Sequence, residues 1–593
     1  MTFSVHRVHQ LALLCMVLGL ASATLAQQPA AQGDAAAPRM VVLPRSTPAD
    51  GSPQINGSRI VGATPGKVFL HRLAATGEAP LKFAVDNLPA GLTLDPATGI
   101  ITGSLQSPGV TVATVHVSNS KGQATRSFIV VSGARKLALT PPLGWNSWNA
   151  WGLNVNEDRV KACADAFIST SLAAHGFQYV NIDDGWEIPT PGRGRRGGAD
   201  PNAPTPAVRA ADGTILTNSK FPDMKALAEY VHARGLKIGI YSSPGPSTCG
   251  GYTATYLHEE QDARTWAGWG IDYLKYDWCS YAQVAAQDTR NPDGTAGPPP
   301  AAAAAEPSRG RGRGRQTFDL PTLKRPYQIM RTMLDRTDRD IVYSLCQYGM
   351  GDVWEWGAQE GINGNVWRAT GDINDSWQSM SRIGFAQNGH EMFTAPGHWN
   401  DTDMLVVGRV GWNAAQTHET RLTPDEQITH IGLWAILAAP MLLGCDLSQA
   451  DEFTIALMSN DEVLAVNQDP LGRQGKRILP ASPATQPNAA ATAPQQVWAR
   501  PLWDGTLAVG LFNLADEPAE VSASLSQLNE SFKTSLAGDQ PVRDLWNLKD
   551  LKPSSTYSAQ VPRHGMVFLK IGTPKPETQC VAELVKMYTT ATP

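Results

Sequence analysis

Between Pro141 and Gly472 the chain repeats one unit: a short apolar run of strand length, a polar or acidic residue near its end, then a stretch of helical periodicity. The strand-like runs are Leu143 to Trp145, Phe177 to Ile182, Lys237 to Tyr241, Tyr273 to Tyr276, Ile341 to Leu345 and Val366 to Arg368, with two more near Met404 and Met441. Helical segments separate most of them. In the clearest, Asn156-Glu157 starts a helix in which Val160, Cys163, Ala164, Phe167 and Ile168 recur at helical spacing, predicting one buried face. Strands alternating with helices imply a parallel sheet, and about eight units over about 330 residues suit a (β/α)8 TIM barrel with insertions. An open doubly wound sheet is the alternative, but no Gly-rich phosphate loop follows the first strand.

A barrel places its chemistry at the carboxyl ends of its strands. Asp183, Asp184, Tyr241, Asp277 and Asp372 fall where those ends should be, at positions a purely structural core would fill with apolar side chains. Two carboxylates from separate strand ends are the minimum equipment for cleaving a glycosidic bond, and the aromatic residues around them suit a sugar. Lys275 stands two residues before Asp277 on the same strand face, so its ammonium can keep Asp277 ionised. Arg368 stands four residues before Asp372 and can bind sugar hydroxyls; taken singly, either pairing reads first as a solvated ion pair. Two other classes compete. A carbohydrate-binding protein needs the aromatic and acidic platform but not both carboxylates. A metal-dependent hydrolase could use Asp183, Asp184, Asp401 and Asp403 as hard-cation ligands, although no His-rich cluster accompanies them.

The flanks read differently. Residues 1–26 have the pattern of a signal peptide: His6, Arg7 and His9, the apolar run Leu11 to Leu20, then small-residue cleavage sites at Ala21-Ser22-Ala23 and Thr24-Leu25-Ala26. The rival is a membrane anchor, but the run is shorter than the ~20 residues of a spanning helix, and no later segment of the mature chain could span. Export to the periplasm or beyond the cell is expected. Residues 27–53 form an Ala-, Gln- and Pro-rich linker without periodicity. Residues 54–133 alternate short β-rich runs with turns at Asp95-Pro96, Thr98-Gly99 and Lys121-Gly122, a small all-β pattern. The barrel is expected over 136–472, and strands return over 473–574 as a C-terminal β-sandwich, followed by a polar tail, 575–593, with no legible role. Two low-complexity insertions, Gly192 to Gly198 and Asn291 to Gln316, carry arginines that could hold an acidic polysaccharide but read first as solvated chain. A net charge of −5 with 17% charged residues gives no field that implies nucleic acid or an anionic membrane as partner. Of seven cysteines, Cys15 leaves with the signal; Cys249 and Cys279 both follow strand-like segments, and Cys163 falls on an apolar helix face.

Several motifs together carry a resemblance. Pro142-Leu143-Gly144-Trp145-Asn146-Ser147-Trp148, Asn181-Ile182-Asp183-Asp184-Gly185-Trp186, Leu274-Lys275-Tyr276-Asp277-Trp278-Cys279 and Trp399-Asn400-Asp401-Thr402-Asp403-Met404-Leu405 resemble, in order, those of glycoside hydrolase family 27, the α-galactosidases and α-N-acetylgalactosaminidases. Leu88 through Gly103 resembles the immunoglobulin-like modules of bacterial surface and secreted proteins. The family resemblance implies a retaining, exo-acting enzyme on α-galactoside substrates, with Asp277 as nucleophile and Asp372 as acid/base. It implies Trp148, Asp183, Asp184, Tyr241, Lys275 and Arg368 as sugar ligands, a Cys249–Cys279 disulfide, and no metal or organic cofactor. Gln347 stands where many members carry a Glu near the sugar 2-hydroxyl, which leaves β-L-arabinopyranosidase and α-N-acetylgalactosaminidase activities open. Asp184 favours galactose. The immunoglobulin-like module is an addition to the family's usual plan, read here as a spacer in preference to a polysaccharide- or partner-binding unit.

Overall fold

The computed structural model describes residues 41–190, 207–297, 318–412, 416–479 and 493–590. The expected signal peptide, the start of the linker, the Gly192 to Gly198 insertion and most of the Asn291 to Gln316 insertion lie outside these residues. Among them, no helix is long and apolar enough to cross a membrane.

The centre is a barrel of parallel strands: β1 (Leu143–Asn146), β2 (Tyr179–Asn181), β3 (Lys237–Ser242), β4 (Tyr273–Asp277), β5 (Val342–Cys346), β6 (Val366–Arg368), β7 (Trp399–Asp401) and β8 (Met441–Leu443). Each strand pairs with the next from β1 to β7, β8 pairs with β1, and a parallel bridge from Leu405, just beyond β7, to Leu443 of β8 closes the ring. Helices cover the outside, so almost every strand residue is buried on either face, which is why the strands read as continuous apolar runs rather than alternating ones. Tyr179, Tyr273, Val342 and Leu442 pack together with Met404 and Trp148.

The outer helices include α1 (Glu157–Ser169), α2 (Met224–His232), α3 (Glu259–Trp269), α4 (Leu320–Asp335), α5 (Trp377–Phe385) and α6 (Pro424–Ile436); the β5 to β6 crossover has only the four-residue helix Val353–Trp356. Asn156 caps α1 by accepting the Arg159 N–H at 2.9 Å. Val160, Cys163, Ala164 and Phe167 are buried as the periodicity predicts, but Ile168 is 39% exposed. At 100° per residue, Ile168 lies about 80° around the helix from Val160 whereas Phe167 lies within about 20°, so the buried face ends at Phe167.

The immunoglobulin-like module has a four-stranded sheet (60–63, 122–132, 109–119, 82–86) and a three-stranded one (69–72, 100–103, 92–94) around a core containing Phe69, Ile101, Val115 and Phe128. Rather than standing off on a linker, it packs under the barrel's N-terminal end. The Thr64 N–H donates to Asp340, Arg72 donates to the Arg234 carbonyl, and a cavity of about 50 Å³ between the two is lined by Phe69, His71, Tyr179, Lys237 and Val342. Tyr179, Lys237 and Val342 are the first residues of β2, β3 and β5. The C-terminal domain carries a six-stranded antiparallel sheet and a separate two-stranded antiparallel sheet, 519–524 with 556–561. The tail is not featureless: Glu577–Thr590 is a helix whose Leu584, Val581 and Met587 pack on Ile60, Ile129 and Val131 of the immunoglobulin-like module.

Candidate active site

At the carboxyl end of the barrel, Asp277 is the last residue of β4 and is 4% exposed. Its Oδ2 accepts two phenol hydrogen bonds, from Tyr241 at the end of β3 (3.0 Å) and from Tyr348 just beyond β5 (2.8 Å). Its Oδ1 is buried without a hydrogen-bond partner among the described residues. One oxygen is therefore anchored and the other left free. Burial pushes the Asp277 carboxyl up from its ordinary value, opposed by the charge of Lys275 and the Tyr348 hydrogen bond.

The Lys275 ammonium does not pair with Asp277 directly. It donates to Asp183 Oδ2 at 2.8 Å, beside the Asn146 amide at 2.9 Å. Burial, the largest single influence, opposes the lysine's charge, but Asp183 together with Cys346 and Asp277 carries the ammonium above its ordinary range. Asp184 accepts from Thr248 Oγ1 (2.7 Å) and the Gly250 N–H (2.6 Å); burial raises it to about 7 in spite of these bonds, with Asp183 and Asp277 adding to the rise.

On the β6 side, the Arg368 guanidinium is 2% exposed and reaches Asp403 Oδ2 (2.9 Å) and Asp372 Oδ1 (3.0 Å). Asp372 stands four residues beyond the strand with its side chain 68% exposed, the opposite of Asp277. Asp401 and Asp403 accept from backbone N–H groups and face Arg368, while Asp183 faces Lys275. Among the described residues these four aspartates do not gather within ligand reach of one another. Trp148 follows β1 and packs beside Met404 over the barrel interior. Gln347 is fully buried; its amide nitrogen donates to the Leu323 carbonyl of α4 at 3.4 Å, and its Oε1 has no partner among the described residues. Cys249 and Cys279 are disulfide-bonded, and Cys163 is a buried free thiol.

Residues 140–292 and 313–469 match the family model described as Alpha galactosidase A. The chain belongs to the α-galactosidase family. Residues 492–571 match the Alpha galactosidase C-terminal beta sandwich domain, and residues 53–133 an Ig domain. An α-galactosidase of Cyamopsis tetragonoloba is 37% identical over 443 residues, 74% of this chain and 87% of its own. Alpha-galactosidase A of Cellvibrio japonicus is 32% identical over 455 residues, 74% of this chain and 93% of its own. A solved structure from Bacteroides fragilis superposes with a TM-score of 0.72 at 31% identity, covering 88% of this chain and 98% of that one. For α-galactosidase I from Mortierella vinacea the TM-score is 0.58 at 29% identity, with 75% and 100% covered. The protein is a glycoside hydrolase of this α-galactosidase family.

Within that family frame, the residue missed in the sequence is Tyr348. It adjoins Gln347, and the position two past the end of a barrel strand was the available signal. Tyr348, Cys279 and Asp403, all close to the two carboxylates, have left-handed backbone (φ 55°, 34° and 76°), a conformation costly for non-glycine residues.

Proposed function

We propose that this chain is an exo-acting, retaining α-galactosidase that releases terminal α-linked galactose from oligo- or polysaccharides. The observation that carries the reading is the asymmetry of Asp277: Oδ2 fixed by two phenols, Oδ1 buried and unpartnered. A nucleophilic carboxylate needs this arrangement, because the attacking oxygen must keep its lone pairs for carbon while the other is held still. Asp277 Oδ1 attacks the anomeric carbon, and the glycosidic C–O bond breaks as Asp372 passes its proton to the departing oxygen. Asp372 then takes a proton from water as that water cleaves the galactosyl ester, so configuration is retained. Asp183, Asp184, Lys275 and Arg368 supply charged hydrogen-bonding groups for the sugar hydroxyls, and Trp148 an apolar face for the ring. The Cys249–Cys279 disulfide supports export, since such bonds persist in oxidising compartments.

Hydrolysis of aryl α-galactoside beside aryl β-L-arabinopyranoside and aryl α-N-acetylgalactosaminide, followed by proton NMR, tests the reading. The expected result is galactoside turnover with the α-anomer of galactose formed first, lost in Asp277→Ala. First formation of the β-anomer would overturn retention, and preference for either of the other glycosides would overturn the glycone.

A further inference from the structure

Asp372 is the acid/base of the reading proposed above, and the inference drawn here rests on that assignment. Its side chain is exposed and hydrogen-bonded to Arg368. Its aim therefore depends on the backbone path of residues 369–376, not on close packing of the carboxylate itself. That path is tied to the barrel at three points. The Ala369 N–H donates to the Asp401 carbonyl at 3.0 Å, the Ile373 N–H donates to Asp403 Oδ2 at 2.8 Å, and the fully buried Asp375 accepts from the Arg421 backbone N–H and guanidinium just before α6.

The fourth tie comes from a different domain. Trp377, first residue of α5 after the loop, stacks on the ring of His564 at 4.1 Å with an interplanar angle of 11°. His564 belongs to the C-terminal sandwich, between the strands 556–561 and 566–571, and is buried. Its Nδ1 lies 2.6 Å from Glu426 Oε1, its Nε2 lies 3.4 Å from Asp516 Oδ1, and its carbonyl accepts from Thr429 Oγ1 at 2.7 Å. Glu426 is the capping-box residue of α6, its Oε2 accepting the Thr423 N–H at 2.8 Å. The contacts close on themselves: Trp377 to His564, His564 to Glu426, back along the chain to Arg421, Arg421 to Asp375, and Asp375 to Trp377 two residues on. The loop carrying Asp372 enters this ring at Asp375.

We infer that His564 of the C-terminal sandwich is a positioning residue for Asp372, fixing the acid/base loop through Trp377 and the first turn of α6. The sandwich is thereby part of the catalytic apparatus and not only a neighbour of the barrel. A one-ångström shift of a proton donor impairs proton delivery without touching the nucleophile.

The test compares kcat/KM on two α-galactosides of unequal leaving group, dinitrophenyl, which departs without a proton, and methyl, which needs one. The methyl-to-dinitrophenyl ratio is measured for the full chain, His564→Ala, Trp377→Ala and Asp372→Ala. This ratio is indifferent to the amount of correctly folded enzyme, because loss of folded protein lowers both values equally. The expected result is a fall in the ratio of about tenfold in His564→Ala and Trp377→Ala, and about a hundredfold or more in Asp372→Ala. An unchanged ratio in the first two variants, beside a collapsed one in Asp372→Ala, overturns the positioning role and leaves the acid/base assignment standing. An unchanged ratio in Asp372→Ala itself removes that assignment and the inference with it.

Discussion

At the scale of single residues, the site separates its two carboxylates by environment. Asp277 is enclosed, with one oxygen held by Tyr241 and Tyr348, whereas Asp372 stands in solvent on Arg368. Tyr348→Phe removes one hydroxyl and nothing else. Because that hydrogen bond favours the ionised carboxylate, its loss raises the Asp277 pKa further. In its proposed role as nucleophile Asp277 must be ionised, so the acid limb of the kcat/KM profile moves to higher pH, by about one unit for a charge-assisted bond of about 1.5 kcal/mol. An unmoved limb with reduced kcat would show that Tyr348 acts on the sugar instead. Asp184 gives a second prediction, on stability. Its folded pKa is about 7 against an ordinary value of 3.8, so its burial penalty is absent below about pH 4, grows as pH rises, and is complete above about pH 7. Asn can accept from Gly250 and donate to Thr248 without that penalty. The melting temperature of Asp184→Asn relative to the parent therefore rises between pH 4 and pH 8, measured by calorimetry, while activity is lost. The acids were legible in the sequence because each follows an apolar strand-like run. The Lys275 partner was not: strand periodicity puts Lys275 and Asp277 on one face, but the ammonium crosses to Asp183, two strands away in the ring.

At the scale of elements, the barrel was legible because its strands, buried on both faces, appear as apolar runs of the right length. Val366 to Arg368 was read with its observed bounds, and β2 was shorter than the apolar run Phe177 to Ile182 that marks it. Near Met404 the strand lies earlier, at Trp399–Asp401, since Asp403 takes a left-handed conformation that ends extended structure before Met404. The β4 element ends in a covalent constraint: Cys279 is bonded to Cys249, thirty residues earlier, and its Sγ lies 3.1 Å from the Tyr241 hydroxyl. A cross-link closing a loop of this length stabilises by about 3–4 kcal/mol in the chain-entropy account. The double substitution Cys249→Ser/Cys279→Ser should lower the melting temperature by several degrees. It should also lower activity in the remaining folded enzyme, because the disulfide sulfur lies against the same Tyr241 hydroxyl that holds Asp277. Melting curves with and without dithiothreitol, alongside active-site titration, separate the two effects.

At the scale of the whole molecule, the chain joins its first folded module to its last helix. Nothing in the sequence between Pro574 and Pro593 announced a partner, because the surface that completes this helix lies more than 440 residues earlier, on the strands 60–63 and 122–132. An amphipathic segment is readable only when its second half is known. In the structure Leu584 is 2% exposed against Ile60, Ile129 and Val131, and Glu577 accepts from the Arg59 guanidinium at 3.2 Å and from the Ser127 N–H at 3.0 Å. Burying Leu584 with the partly covered Val581 and Met587 contributes about 2–5 kcal/mol, enough to hold a small module in place, in a cluster that also takes in Leu139, Leu471 and Trp503. The immunoglobulin-like sheet meets the barrel at the first residues of β2, β3 and β5, and the carboxylates stand at the other ends of the strands. Removing residues 576–593 should therefore bring forward proteolytic release of the immunoglobulin-like module and lower its melting transition. The kcat/KM on a small aryl galactoside should stay within about twofold of the parent, because the strand ends that carry Asp277 and Arg368 are anchored by the barrel and the sandwich. A loss of turnover equal to the loss of protection would instead mean that the module holds the barrel's closure. It would then support the site through β2, β3 and β5, and full-length protein would be needed for activity even on the smallest substrate.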